Sequence, residues 1–178
     1  IGLLEDLHVY TESKEEVLFK RNIRLLHFLK KQLQQVNNRL SSAKSLNIEN
    51  DFEQEMLIET KKNFEAQLKK VKQVIITGIT VEMPRIKGLS ELHLKAIISE
   101  LGNINRFQNH KQIVAYAGLD PSIRESGSSV RGKSKLSKRG SKTMRYFLFQ
   151  SAWGVMMHND KYKEYYSKKR AEGKHYYT

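Results

Sequence analysis

The segment from Gly118 to Ser141 concentrates residue types that can bind a phosphate group or attack it. It contains four Gly and seven Ser, interspersed with Lys and Arg, and it shows neither helical nor strand periodicity. Three interpretations fit this composition: a disordered linker, a loop that binds nucleic acid, or an active-site segment that presents a serine nucleophile. Composition alone leaves all three open.

Other kinds of reactive centre are excluded or disfavoured by residue type. The chain contains no Cys, which excludes disulfides, thiolate zinc sites and thiol nucleophiles. Its six His residues are scattered without metal-ligand spacing, so we expect no metal site built by this chain alone. No run approaches the roughly 20 apolar residues that a membrane span needs, and no signal peptide is visible. The expectation is a soluble, cytoplasmic protein with no membrane partner.

The distribution of charge indicates a phosphate-rich partner. The formal net charge is +13. Residues 122–178 hold 14 Lys and Arg against 4 Asp and Glu, whereas the first 121 residues hold 18 against 15. A basic region this concentrated is typical of proteins that bind a nucleic-acid backbone. A solvated basic surface is the alternative, and an anionic membrane surface is a weaker one because the region lacks a clean apolar face.

The elements that must position this segment are helices. Residues 13–40 carry one apolar stripe at helical spacing, formed by Leu25, Leu29, Leu33, Val36 and Leu40. After a polar break in which Asp51 is a plausible N-cap, a second helix over 52–76 carries a similar stripe of Leu57, Phe64, Leu68, Val71 and Ile75. Two long helices with narrow seams predict an antiparallel, coiled-coil-like hairpin. Such a seam packs either within the hairpin or between protomers.

Shorter helical pieces are predicted between residues 77 and 121, where Gly and Pro interrupt the chain. Leu92, Ile97, Ile98 and Leu101 form the apolar face of one piece, and Asn109 caps another that runs to about Ala117. The run Ile86-Lys87-Gly88-Leu89-Ser90 resembles the turn of a helix-hairpin-helix module. In such a turn, Gly88 would let backbone N–H groups approach a DNA phosphate.

A further helix is predicted after the basic segment, from about Thr143 to Met157. Its apolar side consists of Met144, Phe147, Leu148, Ser151 and Val155. The tail from His158 to Thr178 mixes Lys and Arg with tyrosines, of which Tyr162, Tyr165 and Tyr166 are examples. These rings could stack on nucleobases, and packing between helices is an equally good interpretation.

Several motifs occur in a fixed order along this half of the chain. They are Arg106-Phe107, Ala115-Tyr116-Ala117-Gly118-Leu119-Asp120-Pro121, Ser126-Gly127 and Ser137-Lys138-Arg139-Gly140, followed by His158-Asn159-Asp160, Tyr165-Tyr166 and Gly173-Lys174. In this order they resemble the signature of the insertion-sequence 110 family of transposases, also named for insertion sequences 116 and 902. The resemblance spans some 70 residues, and the helical hairpin is a looser, compositional match.

The resemblance implies which serine is reactive. In that family the Ser of the Ser-Gly pair is the nucleophile of strand exchange, and here that position is Ser126. The attack needs the phosphate charge neutralised and a backbone free to form an exposed turn, which Gly127 offers. The cations available for DNA phosphates are Arg124, Arg131, Lys133, Lys135, Lys138, Arg139 and Arg145. Ser122, Ser128 and Ser129 are alternative nucleophiles, and no general base is evident.

The resemblance also implies parts of the reaction that lie outside this chain. Family members carry an N-terminal ribonuclease-H-like domain with an Asp-Glu-Asp-Asp metal site, and this chain begins after the point where that domain would end. We therefore expect no cofactor in this fragment, Mg²⁺ in the missing nuclease domain, and no complete reaction by the fragment alone. A guide RNA is a further partner that the family implies, and a basic surface suits RNA as well as DNA.

These patterns together predict a mainly α protein with two domains. Residues 1–76 form a helical hairpin or coiled-coil linker, and residues 77–178 form a compact, serine-bearing transposase domain with a helix-hairpin-helix-like module. The predicted function is DNA transposition or site-specific recombination by serine attack on a phosphodiester. One alternative is a non-catalytic DNA- or RNA-binding module of a transposase whose chemistry lies in the nuclease domain. The other is a structural module that forms homo-oligomers through the hairpin.

Overall fold

The structure, a computed structural model, describes residues 12–45, 52–78, 85–122, 125–126, 130–131 and 135–175. Within these ranges the protein is mainly α-helical, as predicted. The helices are α1 (Lys14–Ser45), α2 (Phe52–Thr77), α3 (Glu91–Leu101), α4 (His110–Tyr116), α5 (Lys142–His158) and α6 (Asp160–Ala171), with one turn of 3₁₀ helix at Ile104–Arg106. The strands are β1 (Pro121–Ser122), β2 (Glu125–Ser126), β3 (Val130–Arg131) and β4 (Lys135–Leu136). Among the described residues, no helix is both long and apolar enough to cross a membrane.

The chain divides into two compact units, one formed by Leu18–Met83 and the other by Ile1–Val17 together with Pro84–Thr178. In the first unit, the predicted stripe of α2 is confirmed, because Leu68 and Ile75 are buried and Leu57, Phe64 and Val71 are half-buried. The predicted N-cap of this helix, Asp51, lies outside the described residues.

The stripe of α1 is wrong at its first position. Leu25 is 43% exposed, whereas its neighbour Leu26 is completely buried, and the buried side continues towards the N-terminus through Ile23 and Phe19. The physical reason is the angle by which successive residues are rotated around the helix axis. Two successive steps of four residues, from Leu25 to Leu29 to Leu33, would turn the stripe by about 80° around a helix of 3.6 residues per turn. The step of three residues from Leu26 to Leu29 keeps the buried side on one face.

The two helices of this unit run antiparallel. Asn37, Leu40 and Ser41 near the end of α1 line a cavity of about 550 Å³ together with Gln54 and Ile58 near the start of α2. At the other end, the ring of Phe19 lies against Gly78, such that a Cβ on this glycine would be 3.0 Å from Phe19 Cε2. These contacts agree with a helical hairpin, and the hairpin and its coiled-coil character stay predictions.

The second unit is built around α5, which packs against both α3 and α6. Leu101, Ala117 and Met144 are buried together, and Ile97, Phe107, Ile113, Tyr116, Leu119 and Leu148 pack against them. The predicted apolar side of α5 is confirmed, since Met144, Phe147 and Ser151 are buried and Leu148 and Val155 are half-buried. The predicted cap of α4 is also confirmed, because Asn109 Oδ1 accepts a hydrogen bond from Gln112 N at 3.2 Å.

The turn that precedes α3 packs on the far end of α5. Leu89 N donates to Ile86 O at 3.0 Å, and Gly88 has a φ of 91°, as the third residue of a type II turn requires. A Cβ on Gly88 would lie 2.8 Å from the carbonyl carbon of Gly154, which is in α5. Two glycines thus allow the turn and the helix to touch backbone to backbone.

Candidate active site: the serine arm

The basic segment contains two short antiparallel strand pairs. In β1 and β4, Pro121 lies opposite Leu136 and Ser122 lies opposite Lys135. In β2 and β3, Glu125 lies opposite Arg131 and Ser126 lies opposite Val130. The second pair falls within the first along the chain, and we call the described residues of 121–136 the serine arm.

The described residues of this segment include strands that its sequence does not predict. Each of the four strands is only two residues long, which is too short for an alternation of apolar and polar residues to be visible in the sequence. Gly and Lys also have low strand propensity. The pairing is consequently invisible to composition and periodicity.

Ser126 belongs to the inner of the two strand pairs. It is the last residue of β2 and lies opposite Val130, the first residue of β3. The predicted turn residue Gly127, the alternative nucleophiles Ser128 and Ser129, and the predicted phosphate contacts Arg124 and Lys133 lie outside the described residues.

Hydrogen bonds hold the outer strand pair of the arm, next to the helices. Ser122 Oγ donates to Lys135 O at 2.8 Å. Ser137 N donates to Asp120 O at 2.8 Å, and Ser137 Oγ donates to the carboxylate of Asp120. The hydroxyl of Ser137 therefore binds Asp120. The N-cap of α5 is Ser141, whose Oγ accepts from Met144 N.

Two glycines join the segments on either side of the arm, and we call this contact the glycine junction. A Cβ on Gly118, whose φ is 67°, would lie 2.6 Å from Gly140 N. A Cβ on Gly140 would overlap the carbonyl oxygen of Tyr116 and lie 2.7 Å from Gly118 N. The glycines of the Ala-Tyr-Ala-Gly and Ser-Lys-Arg-Gly motifs are thus required by the close approach of these two backbones.

Arg145 braces the glycine junction. Its Nη1 donates to Ala117 O at 3.0 Å and to Gly140 O at 2.9 Å, one carbonyl on each side of the contact. The side chain is half-buried. Its role in phosphate binding stays a prediction. In the structure, its guanidinium binds one backbone carbonyl in each of the two segments that meet at the glycine junction.

A buried carboxylate, which no sequence motif marks, lies next to the glycine junction. Glu100 is completely buried, and its Oε2 accepts from Ser141 Oγ at 2.8 Å. Its backbone carbonyl accepts from the hydroxyl of Tyr116 at 3.0 Å. Arg106 lies over the ring of Tyr116, with its Cζ 4.5 Å from the ring centroid. The C-terminal end of α3 is therefore fastened to both segments that carry the arm.

The other predicted phosphate contacts divide by position. Lys135, Lys138 and Arg139 are exposed beside the base of the arm, and Lys138 adopts a left-handed φ of 55°. Arg131 is on β3, opposite Glu125. Gly88 is elsewhere, because it contacts Gly154, which is 13 residues or about 20 Å along α5 from Ser141. The structure thus brings together the arm and its neighbouring cations, but it does not bring Gly88 to them.

Metal-binding potential is limited in the part of the chain that the structure describes. These residues contain no group of three or more His, Asp or Glu side chains placed to hold a metal ion.

Comparisons with known proteins identify a family that this sequence resembles. Residues 82–167 match the model of the family described as Transposase IS116/IS110/IS902. The 43.6 kDa protein of insertion element IS110 from Streptomyces coelicolor is 25% identical over 99 residues, which are 56% of this chain and 24% of that protein. The pilin gene-inverting protein of Moraxella bovis is 33% identical over 67 residues, which are 38% of this chain and 21% of that protein. The chain spans about a quarter or less of these relatives, and the resemblance read from the motifs is confirmed.

Proposed function

We propose that the protein recombines DNA with Ser126 as its nucleophile, and the premise is the match of residues 82–167 to the model of the Transposase IS116/IS110/IS902 family. The name of the relative from Moraxella bovis, a pilin gene-inverting protein, supports a rearrangement of DNA. The high positive charge of residues 122–178 supports a nucleic-acid substrate.

The observation that carries the proposal is the position of Ser126 in the serine arm. It is the last residue of β2, in the inner of two short strand pairs, while the base of the arm is fixed to the helices by the glycine junction and Arg145. A nucleophile must reach a phosphorus atom within a bulky duplex. A serine in a short two-stranded segment meets this requirement better than one in a helix or a core strand.

The proposed reaction is a phosphoryl transfer in two steps. Ser126 Oγ attacks the phosphorus of a DNA phosphodiester, forms an Oγ–P bond, and breaks the bond from phosphorus to one deoxyribose oxygen. The serine hydroxyl loses its proton, and the leaving sugar oxygen takes one up. A hydroxyl of a second DNA strand then attacks the same phosphorus and regenerates the serine.

The cations beside the arm have an electrostatic role in this proposal. Lys135, Lys138 and Arg139 are exposed near its base. Four residues of extended chain, from Ser122 to Ser126, span at most roughly 13–14 Å, which is about the rise of four nucleotides in a duplex. These side chains would therefore bind phosphates a few nucleotides away from the one that is attacked, and they would hold the strand in register with Ser126.

The same proposal includes partners and parts outside the described residues. We propose a Mg²⁺-dependent nuclease domain in the full-length protein, a guide RNA, homo-oligomers formed through the helical hairpin of residues 1–76, and a cytoplasmic location. Residues 77–178 would then be the serine-bearing domain, which by itself does not complete the reaction.

A covalent adduct between protein and DNA tests the proposal. Full-length protein would be incubated with the DNA of its element and any encoded RNA, and the products would be separated under denaturing conditions. We expect an adduct with the wild type, none with Ser126→Ala, and an unchanged adduct with the matched variant Ser128→Ala. An adduct that survives Ser126→Ala but not Ser128→Ala or Ser129→Ala would reassign the nucleophile.

Recombination without an adduct in any variant would contradict serine chemistry and would favour the binding-only alternative. That alternative also predicts a different mutational pattern, in which Ser126→Ala is active and the double change of Lys138 and Arg139 to Gln is not. Salt provides a further check, because log affinity for DNA should fall with log salt by about 0.9 for each phosphate neutralised. A flat salt response would contradict DNA binding altogether.

A further inference from the structure

The outer strand pair of the serine arm lacks the features that ordinarily fix the register of two strands. β1 and β4 are two residues long, Leu136 is 49% exposed and Pro121 is exposed as well, so no buried face selects their pairing. Pro121 also has no N–H group to donate to β4. Another contact must therefore hold Pro121 opposite Leu136.

Asp120 and Ser137 supply that contact through two hydrogen bonds. Ser137 N donates to Asp120 O at 2.8 Å, and Ser137 Oγ donates to the carboxylate of Asp120. Asp120 directly precedes β1 and Ser137 directly follows β4, so this pair continues the register of the two strands. Both residues are half-buried, and a hydrogen bond to a charged acceptor is about twice as strong as one between neutral groups. A slip of one residue would separate the hydroxyl from the carboxylate.

The bonds on either side of this pair support the same register. Lys138, which follows Ser137, has a left-handed φ of 55° and donates its N–H to Gly118 O at 3.0 Å. Such a φ is uncommon for a residue with a side chain and persists where the surroundings fix it. Within the arm, Ser122 Oγ donates to Lys135 O at 2.8 Å. The backbone is thus bent so that the Asp120–Ser137 pair can form.

From these contacts we propose that Asp120 is a positioning residue for Ser126 and acts through Ser137. Ser126 follows Ser122 by four residues. A slip of one residue between β1 and β4 displaces the segment that leads to Ser126 by about 3.3 Å and turns its side chains to the opposite face. Misplacement by about 1 Å can slow a reaction by about 10²-fold. The inference rests on the proposed function for the role of Ser126, whereas the register itself does not depend on it.

The absence of Cys from the chain makes the register measurable by disulfide formation. The changes Pro121→Cys and Leu136→Cys place two thiols opposite each other, at a Cα separation of about 4.5–5.5 Å that a disulfide spans. In the full chain, we expect this pair to oxidise faster than the out-of-register pair of Pro121→Cys and Lys135→Cys. Adding Asp120→Ala should lower the ratio of the two rates by roughly 10-fold or more, the effect of losing one hydrogen bond to a charged group. Asp120→Asn should preserve the ratio.

The covalent adduct of Ser126 with DNA provides the functional measurement. With full-length protein and saturating DNA, Asp120→Ala and Ser137→Ala should each form the adduct about 10- to 100-fold more slowly, with unchanged affinity for DNA. The double variant should be no slower than the slower single variant, because the two side chains act as one unit. Asp120→Asn and Ser137→Thr keep the hydrogen bond and should restore the rate.

Asn109→Ala is the matched control. It removes one side-chain hydrogen bond, to Gln112 N at 3.2 Å, at the end of α4 that is remote from the arm but in the same unit. It should lower the resistance to urea and still form the adduct at the wild-type rate, which separates positioning from a general loss of structure. A rate in Asp120→Asn as low as that in Asp120→Ala would overturn the positioning role, since an amide accepts a hydrogen bond but does not take up a proton.

Failure of this inference and failure of the proposed function are distinguishable. An unchanged ratio of disulfide rates in Asp120→Ala would refute the register role, even if Ser126 forms the adduct. Absence of an adduct from the wild type would refute the proposed nucleophile and, with it, the positioning of Ser126, whereas the register is measured without DNA. An adduct that persists in Ser126→Ala and disappears in Ser137→Ala would make Ser137 the nucleophile and would contradict both proposals.

Discussion

Replacing Gly140 by Ala should destabilise the unit that carries the serine arm, although alanine is usually the better residue. Gly140 does not have a left-handed φ, so its replacement imposes no backbone strain. At such a position Gly→Ala commonly stabilises a protein by about 0.4–1 kcal/mol, because it restricts the unfolded chain. The sign of the effect therefore depends on the glycine junction alone.

The magnitude follows from the contacts of the added methyl group. It would overlap the carbonyl oxygen of Tyr116 and lie 2.7 Å from Gly118 N, and both are backbone atoms that cannot rotate away. Inserting a methyl group into tight packing costs about 1–3 kcal/mol. Parting the two backbones also weakens the bond from Arg145 to Gly140 O, which as a charged hydrogen bond is worth about 1.5 kcal/mol or more. We expect a loss of roughly 3 kcal/mol, or roughly 12–24 °C in Tm for a domain of this size.

Urea denaturation monitored by the fluorescence of Trp153 would measure this loss, since Trp153 is in α5 of the same unit. Gly173→Ala is the control, because a Cβ there would meet nothing within 4 Å and only its φ of 77° opposes the change. That variant should lose about 1 kcal/mol. If Gly140→Ala unfolded at the same urea concentration as the wild type, or at a higher one, the backbone contact at the glycine junction would be refuted.

Two further predictions concern side chains that the structure singles out. Arg145→Lys should lower the free energy of unfolding by about 2–3 kcal/mol, because an ammonium group does not reproduce both hydrogen bonds to Ala117 O and Gly140 O. The control Arg139→Lys, at an exposed site, should stay within about 0.5 kcal/mol of the wild type. Equal losses in the two variants would contradict the stabilising role of Arg145. The pKa of Lys30 in α1 is lowered by burial and, to a smaller extent, by the charge of Lys72. Because the unfolded chain then binds more protons than the folded one below pH 10.5, the free energy of unfolding should rise with pH towards that value. Urea denaturation at pH 7 and 9.5 should show a smaller rise in Lys30→Met than in the wild type. Equal rises would contradict the lowered pKa of Lys30.

The helices were predictable wherever an apolar stripe or a capping residue marked them. Asn109 marked the start of α4 as a capping residue. The helical spacing of Met144, Phe147, Leu148 and Ser151 predicted α5. Helix α6, Asp160–Ala171, was not predicted, because it contains no aliphatic residue before Ala171 and no residue of it is buried. Its packing on α5 is a tertiary contact that local periodicity does not encode.

The candidate site was only partly predictable for a related reason. The motifs identified Ser126 and the glycines, but they did not reveal that Gly118 and Gly140 touch, or that Gly88 meets Gly154, because these are contacts between residues distant in sequence. Glu100 was missed as well. A lone carboxylate in a short helix looks solvent-exposed by composition, and only the fold shows that it is completely buried and accepts from Ser141.

The glycine junction makes the reach of the arm and the stability of the domain separately adjustable. Gly118 and Gly140 are fixed to each other by the domain, so the chain between them is a closed loop whose ends do not move when its length changes. Doubling the length of such a loop costs only about 0.6 kcal/mol. Insertions or deletions within the arm could therefore move Ser126 nearer to the helices or farther from them, as different DNA geometries require, without any repacking of the core beneath.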